Sequence, residues 1–342
     1  MRLTLVIPGL IWPPSPEQHP ARDIRLPGLA RMLGRADPCR SPASDLHQWL
    51  AAACGLDAEP PWASLRLAGS GLDPGDAVWM CADPVHLRLL RECFVLADDD
   101  ELAVDAGEAA AILETLNREF APALEFVASA PAHWHLRLGE IPRLQTQPLS
   151  RAVGRRPDAL LPQGPDAAAW MRRLNDIQVL LHDHPVNERR EAAGRAAINS
   201  LWFWGCGRSP RAVRRPAAVI ASAEAIARGL AAASGARAIA LPASAADLPL
   251  DGAEDLLVIL DALHAPALHR DEARWRSRLG EIGRDWIEPL EAAARRGRIS
   301  PLALAAPGDA GGIELEYGRA QGWKLWRAPV PLCALDLSRE AA

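Results

Sequence analysis

A chain of 342 residues, 49% hydrophobic and 24% charged, holds enough apolar material for two domains, or for one large core carrying an insertion. Its formal charge of −5 offers no basic footprint to nucleic acid or to an anionic membrane surface. Lys324 is the single lysine, which excludes P-loop chemistry and argues against a Schiff-base amine.

The chain opens with LTLVI (3–7), a buried strand stopped by Pro8-Gly9. That run is too short for a signal-peptide core or a membrane span. The six cysteines show neither a CxxC pair nor metal-ligand spacing, so a cytoplasmic setting with reduced thiols is expected. Residues 13–20 read as loop and 26–33 as a short helix, and Ser44 or Asp45 is the natural N-cap of a helix over HQWLAAACGL. A composition shift at Gly69-Ser70-Gly71 leads to a strand over AVWMCADPVHL and an acidic turn at Asp98-Asp99-Asp100-Glu101. A helix over 106–117 and strands over 126–130 and 134–138 follow. His133 and His135 share a face of the last strand; a metal pair and an ordinary surface are both open there, with no carboxylate or cysteine nearby. An amphipathic helix over 167–181 carries Trp170, Leu174, Ile177 and Leu181 on one side. Beyond 210 come strands at 218–220, 238–241, 256–260, 299–306, 313–317 and 323–328. Helices at 222–234 and 273–296 lie between them, the second broken near 280–283. Strands alternating with helices predict an α/β fold with a mainly parallel sheet flanked by helices. Trp323 and Trp326, three apart, read as core before docking surface.

The densest stretch is 180–210, LHDHPVNERREAAGRAAINSLWFWGCGRSP. Two readings fit its polar half. In one, His184, Asn187 and Arg190, with Arg189 and Arg208 to hand, line a pocket for an anion, because guanidinium forks phosphate oxygens. In the other, Asn187 caps a helix over 188–197 and His184 satisfies loop backbone groups. Trp202-Phe203-Trp204 reads as a buried strand. Gly205-Cys206-Gly207 is too short for a dinucleotide fingerprint, and Cys206 has no base beside it. No G-x-S-x-G elbow occurs.

This stretch resembles the HPVN…R…G…AN-x-x-W-x-WG-x-G signature of the archaeal-type cofactor-independent phosphoglycerate mutases, members of the alkaline phosphatase superfamily. The resemblance implies an alkaline phosphatase-like core over 1–69 and 150–342, interrupted by a small α+β domain over 70–149. It implies that Ser44, next to Asp45, stands where the family has its phosphorylated serine, although a cap alone also explains it. The family's first metal-binding Asp, directly after strand one, is Pro8 here. Its D-x-x-x-H pair becomes Asp261 with His264 one position early and His269 four late. Its DHG element aligns with Ala305-Ala306-Pro307-Gly308-Asp309, which has no histidine. Two divalent cations need more ligands than these.

The pattern is similar to the RpfE-type bacterial regulatory proteins, which keep the HPVN…NSLWFWG stretch without the metal ligands. It implies a non-catalytic regulatory or ligand-sensing protein that needs no cofactor and takes a phosphorylated small molecule, with no nucleic-acid or membrane partner. The alternative is an active mutase or phosphohydrolase, with Ser44 as nucleophile and Mn²⁺ or Zn²⁺ on Asp261, His264 and His269. A plain docking protein using Trp323 and Trp326 is the third reading.

Overall fold

A computed structural model describes the chain except residues 15–17, 58, 91–92, 98–101, 154–159, 251, 253, 310 and 336–342. The acidic turn expected at 98–101 lies outside the described residues. In chain order the strands are β1 (Leu3–Val6), β2 (Cys39–Ser41), β3 (Val78–Leu90), β4 (Cys93–Ala97), β5 (Glu125–Ala130) and β6 (His133–Leu138). They continue with β7 (Ser200–Gly207), β8 (Val219–Ser222), β9 (Arg237–Ile239), β10 (Leu256–Ile259), β11 (Leu302–Ala306) and β12 (Gly312–Tyr317). The chain divides into two compact units, Met1–Cys54 with Arg214–Ala342, and Gly55–Val213.

The first unit is built on a seven-stranded sheet in the order β2-β12-β11-β1-β10-β8-β9. β11, β1, β10, β8 and β9 run parallel, while β12 and β2 add an antiparallel edge. The central parallel strands β1, β10, β8 and β11 are short and largely buried, as covered sheets require, while β9 is an exposed edge carrying Arg237. One face turns Leu5, Val258, Leu304 and Leu315 into a core shared with Leu29, Met32, Trp275, Leu279 and Leu290 of three helices, Pro27–Arg35, Glu272–Ile282 and Glu288–Arg295. The break expected near 280–283 is a π-turn, Gly283–Ile287, joining the last two helices. A buried Glu291 ties this layer together, accepting from Arg31 Nη2 at 2.8 Å and from the Tyr317 hydroxyl at 2.8 Å.

The second unit is antiparallel. β3 is its long central strand and pairs with β4, β6 and β7, while β5 completes the sheet beside β6. Its core joins Met80, Leu136, Leu201 and Phe203 to Ile112 and Leu116 of the helix Ala106–Phe120, and to Leu174 and Ile177 of Ala167–His182. A capping box starts the first of these helices, with Asp105 and Glu108 exchanging side chain-to-backbone hydrogen bonds. The expected boundaries at 69/70 and 149/150 differ from those of the compact units. Residues 150–213 fall in the second unit because β7, expected in the phosphatase-like core, pairs along β3 from Trp79 to Val85.

Two local expectations need correction. Residues 323–328 form successive turns, not a strand. Lys324 N–H bonds Gln321 O at 3.0 Å and Arg327 N–H bonds Lys324 O at 3.0 Å, so the backbone closes on itself. Trp323 and Trp326, read as core, are 65% and 80% exposed.

Candidate functional site

The mutase-like positions of the first unit meet at one edge of its sheet. β1, β10 and β11 are parallel and in register, so the segments following Val6, Ile259 and Ala306 emerge together, where ligands bind in open α/β sheets. Gly9 sits at φ +77°, and a Cβ there would fall 2.5 Å from Leu263 O; lacking one, it lets the loop after β1 lie directly on the loop after β10. Trp275 Nε1 donates to Gly9 O at 2.7 Å and fixes that loop. Across β1, Ser44 N–H donates to Gly308 O at 3.1 Å, which attaches the Ser44 segment to the loop after β11.

Asp45, not Ser44, caps the helix Leu46–Cys54: Asp45 Oδ1 accepts from Gln48 N–H at 2.8 Å, and Gln48 Oε1 accepts from Asp45 N–H at 3.1 Å. Ser44 is half-buried, and its hydroxyl makes no hydrogen bond among the described residues. Asp261 is half-buried at the end of β10, and burial raises its carboxyl above the usual range while nearby His264 works against that rise. A turn from His264 N–H to Asp261 O (2.8 Å) holds the two residues together. His269 lies at the other end of the short helix His264–Leu268. Five helical residues separate it from His264 by about 7.5 Å of rise and roughly 140° of rotation. Pro8, in place of a carboxylate, is buried. Among the described residues no group of three or more His, Cys, Asp and Glu side chains is placed to hold a metal ion. Asp261 and His264 alone are too few donors for a two-cation centre.

The polar half of 180–210 lies in the second unit and is taken up internally. His184, rather than Asn187, is the N-cap of the helix Pro185–Ala192, its Nδ1 accepting from Val186 N–H at 3.2 Å while Nε2 lies 3.1 Å from the Thr115 hydroxyl. Burial lowers its pKa. Asn187 is inside that helix, and its amide clamps two segments: Nδ2 donates to Leu181 O (2.7 Å) and Ile198 O (2.8 Å), and Oδ1 accepts from Ile198 N–H (2.8 Å). Arg190 is buried and fully engaged, with Nε on Ala196 O (2.7 Å), Nη1 on Glu108 (2.6 Å) and Nη2 on Leu102 O (2.6 Å). Arg208 is exposed and donates to Asp76 O. The donors of Asn187 and Arg190 are thus directed at backbone carbonyls and Glu108, while the exposed Arg208 uses Nη1 on Asp76 O. Cys206 lies half-buried in β7, and burial pushes its thiol up to about 12.

A buried polar cluster in the second unit was missed by sequence reasoning. Arg66 and Asp83 form a two-bond ion pair at 2.9 and 2.8 Å, both nearly inaccessible. Trp204 Nε1 donates to Asp83 Oδ2 at 2.7 Å, and Arg66 Nη2 donates to Trp134 O at 2.7 Å. The signal was present: a lone Arg in the apolar helix WASLRLAG and a lone Asp in the strand VWMCADPV each demand a partner. His135 is fully buried beside this pair, bonded through Nε2 to the Ser129 hydroxyl at 2.9 Å, and burial lowers its pKa to about 2, with Arg66 and His133 adding to the fall. A guanidinium next to His135 disfavours a cation there, which weighs against a metal pair with His133.

No family model matches the chain. It is similar to the 2,3-bisphosphoglycerate-independent phosphoglycerate mutase of Methanosarcina mazei, 26% identical over 140 residues, covering 39% of this chain and 35% of that one. It is also similar to the enzyme of the same name from Methanothrix thermoacetophila, 31% identical over 109 residues, covering 30% and 28%. The chain thus matches about a third of these relatives' length. Among solved structures, the PH0037 protein from Pyrococcus horikoshii shares the fold, with a TM-score of 0.60 and 16% identity over 97% of this chain and 91% of that one.

Proposed function

The chain is a relative of the archaeal-type cofactor-independent phosphoglycerate mutases, and from that premise we propose that it is a non-catalytic regulatory or ligand-sensing protein. The observation that carries this reading is the donor set at the strand ends. Where the resemblance calls for a carboxylate after β1 stands buried Pro8, the loop after β11 has no histidine, and only Asp261 and His264 remain side by side. Such a set cannot polarise a phosphate between two cations. The ligand of this reading is a phosphorylated small molecule, and the resemblance to RpfE-type regulators points the same way.

A second reading keeps one observation in its favour. Ser44 lies at that same edge, its hydroxyl makes no hydrogen bond among the described residues, and the resemblance aligns it with the family's nucleophile. Calorimetric titration of the chelator-stripped protein with Mn²⁺ and Zn²⁺ separates the two. We expect no stoichiometric binding at the Asp261 edge and no phosphatase or mutase turnover. Micromolar binding lost in Asp261→Ala and His264→Ala, together with turnover lost in Ser44→Ala, would establish the enzyme instead.

A further inference from the structure

At the opposite edge of the first unit's sheet lies a groove of about 590 Å³ walled largely by arginines. Leu302 pairs with Tyr317, so the chain entering β11 and the chain leaving β12 meet there, away from the Asp261 and Ser44 loops. Arg295 and Arg296 come from the last turn before β11, Arg319 from the first turn after β12, and Arg35 from the end of the helix Pro27–Arg35; Trp323 and Leu325 form the rim. Arg31 also reaches the groove, but Glu288 and Glu291 neutralise it at 3.3 and 2.8 Å. Arg295 shares Glu291 at 3.5 Å. Arg296 and Arg319 are exposed and have no carboxylate partner among the described residues. Arg35 spends Nη1 on Gly322 O at 2.9 Å, while its Nε is buried with no hydrogen-bond partner among the described residues. Gly322 allows this convergence, since a Cβ there would stand 3.0 Å from Arg295 Cγ.

Favourable helix-end charge explains Arg35, Arg295 and Arg296 singly. It does not explain why guanidiniums from three separate segments face one cavity, or why an indole 65% exposed stands beside them. Clustered guanidiniums with unused donors suit phosphate oxygens, which they bind as forks. Trp323 offers a flat apolar face to the rest of such a ligand. The volume matches a small molecule rather than an extended polymer.

We propose that this groove is a binding site for a phosphorylated small molecule bearing a flat ring, such as a nucleoside diphosphate, with its phosphates on Arg35, Arg296 and Arg319 and its ring on Trp323. The site stands independently of the regulatory reading and needs neither Ser44 nor Asp261.

Titration of the full-length protein with ADP, pyrophosphate and adenosine, followed by calorimetry and tryptophan fluorescence, tests it. ADP should bind saturably, pyrophosphate more weakly and adenosine not detectably. R296Q/R319Q, at exposed positions and with an unchanged melting curve, should weaken ADP by about tenfold or more. Trp323→Ala should abolish the preference for ADP over pyrophosphate while leaving pyrophosphate binding intact. Failure of ADP to bind, or equal binding by wild type and R296Q/R319Q, overturns the proposal. So does an acidic polyglutamate peptide that binds through the same arginines when ADP does not, because the groove would then be a protein-docking surface.

Discussion

The Arg66–Asp83 pair of the second unit has taken both charges out of water. Its attraction is strong only while each partner is present, since desolvation of a lone charge has no compensation. Asp83→Ala should therefore cost about 3–5 kcal/mol in urea denaturation. The double variant R66M/D83A should recover much of that loss, and a double variant as unstable as the single one would refute the account. His135 adds a pH dependence. Its folded pKa, about 2, lies below the ordinary histidine value, so the unfolded chain binds the extra proton first as pH falls. The sign follows: stability is full above pH 6.5 and declines toward pH 2. Between pH 7.5 and 5 the loss from this residue is about 2 kcal/mol. Denaturation midpoints measured across that range should flatten in His135→Leu, and an unchanged slope would assign the dependence elsewhere.

At the scale of elements, the joint between the loops after β1 and β10 depends on a residue without a side chain. Gly9→Ala combines a left-handed backbone with a Cβ overlapping Leu263 O, so it should destabilise the first unit by about 2 kcal/mol or more. The same change at Gly235, also left-handed but with no atom within 4 Å of where a Cβ would stand, should cost less. Comparing thermal melts of the two variants separates steric contact from backbone strain. Most elements were legible from the sequence for physical reasons. LTLVI and LLVIL are short, largely apolar runs rich in branched residues and read as buried strands, and Gly280–Gly283 marked the break in a long helical pattern. WKLWRA was misread because alternation describes a strand only where another strand is free to pair with it, and here local turns take the backbone hydrogen bonds. The polar half of 180–210 left two readings open in the sequence because Asn and Arg carry the same donors whether they hold a phosphate or a carbonyl. Only the positions of Leu181, Ile198, Ala196 and Glu108 decide between those uses.

At the scale of the molecule, the first unit is discontinuous in sequence yet closed in space. Arg214 N–H donates to Cys54 O at 2.8 Å, and its guanidinium donates to Ala52 O at 2.7 Å and Ala53 O at 3.1 Å. The ends flanking 55–213 are thus already adjacent, and each unit holds its own core. Replacing 55–213 by a short Gly-Ser linker should leave a unit that unfolds cooperatively by circular dichroism, and residues 55–213 alone should do likewise; a non-cooperative melt of either would show that it borrows stability from the other. The same sheet order sets a timetable for synthesis. β1 lies between β10 and β11, both of which are made long after it. At ribosomal rates of about 5–20 residues per second, LTLVI waits roughly 12 to 60 seconds for its neighbours. For that interval a central, largely apolar strand of the sheet is an unpaired nascent segment, and the intervening unit can finish folding before the host sheet has closed. A chaperone that shields nascent β1 should therefore raise the yield of the two-unit chain far more than that of 55–213 made alone.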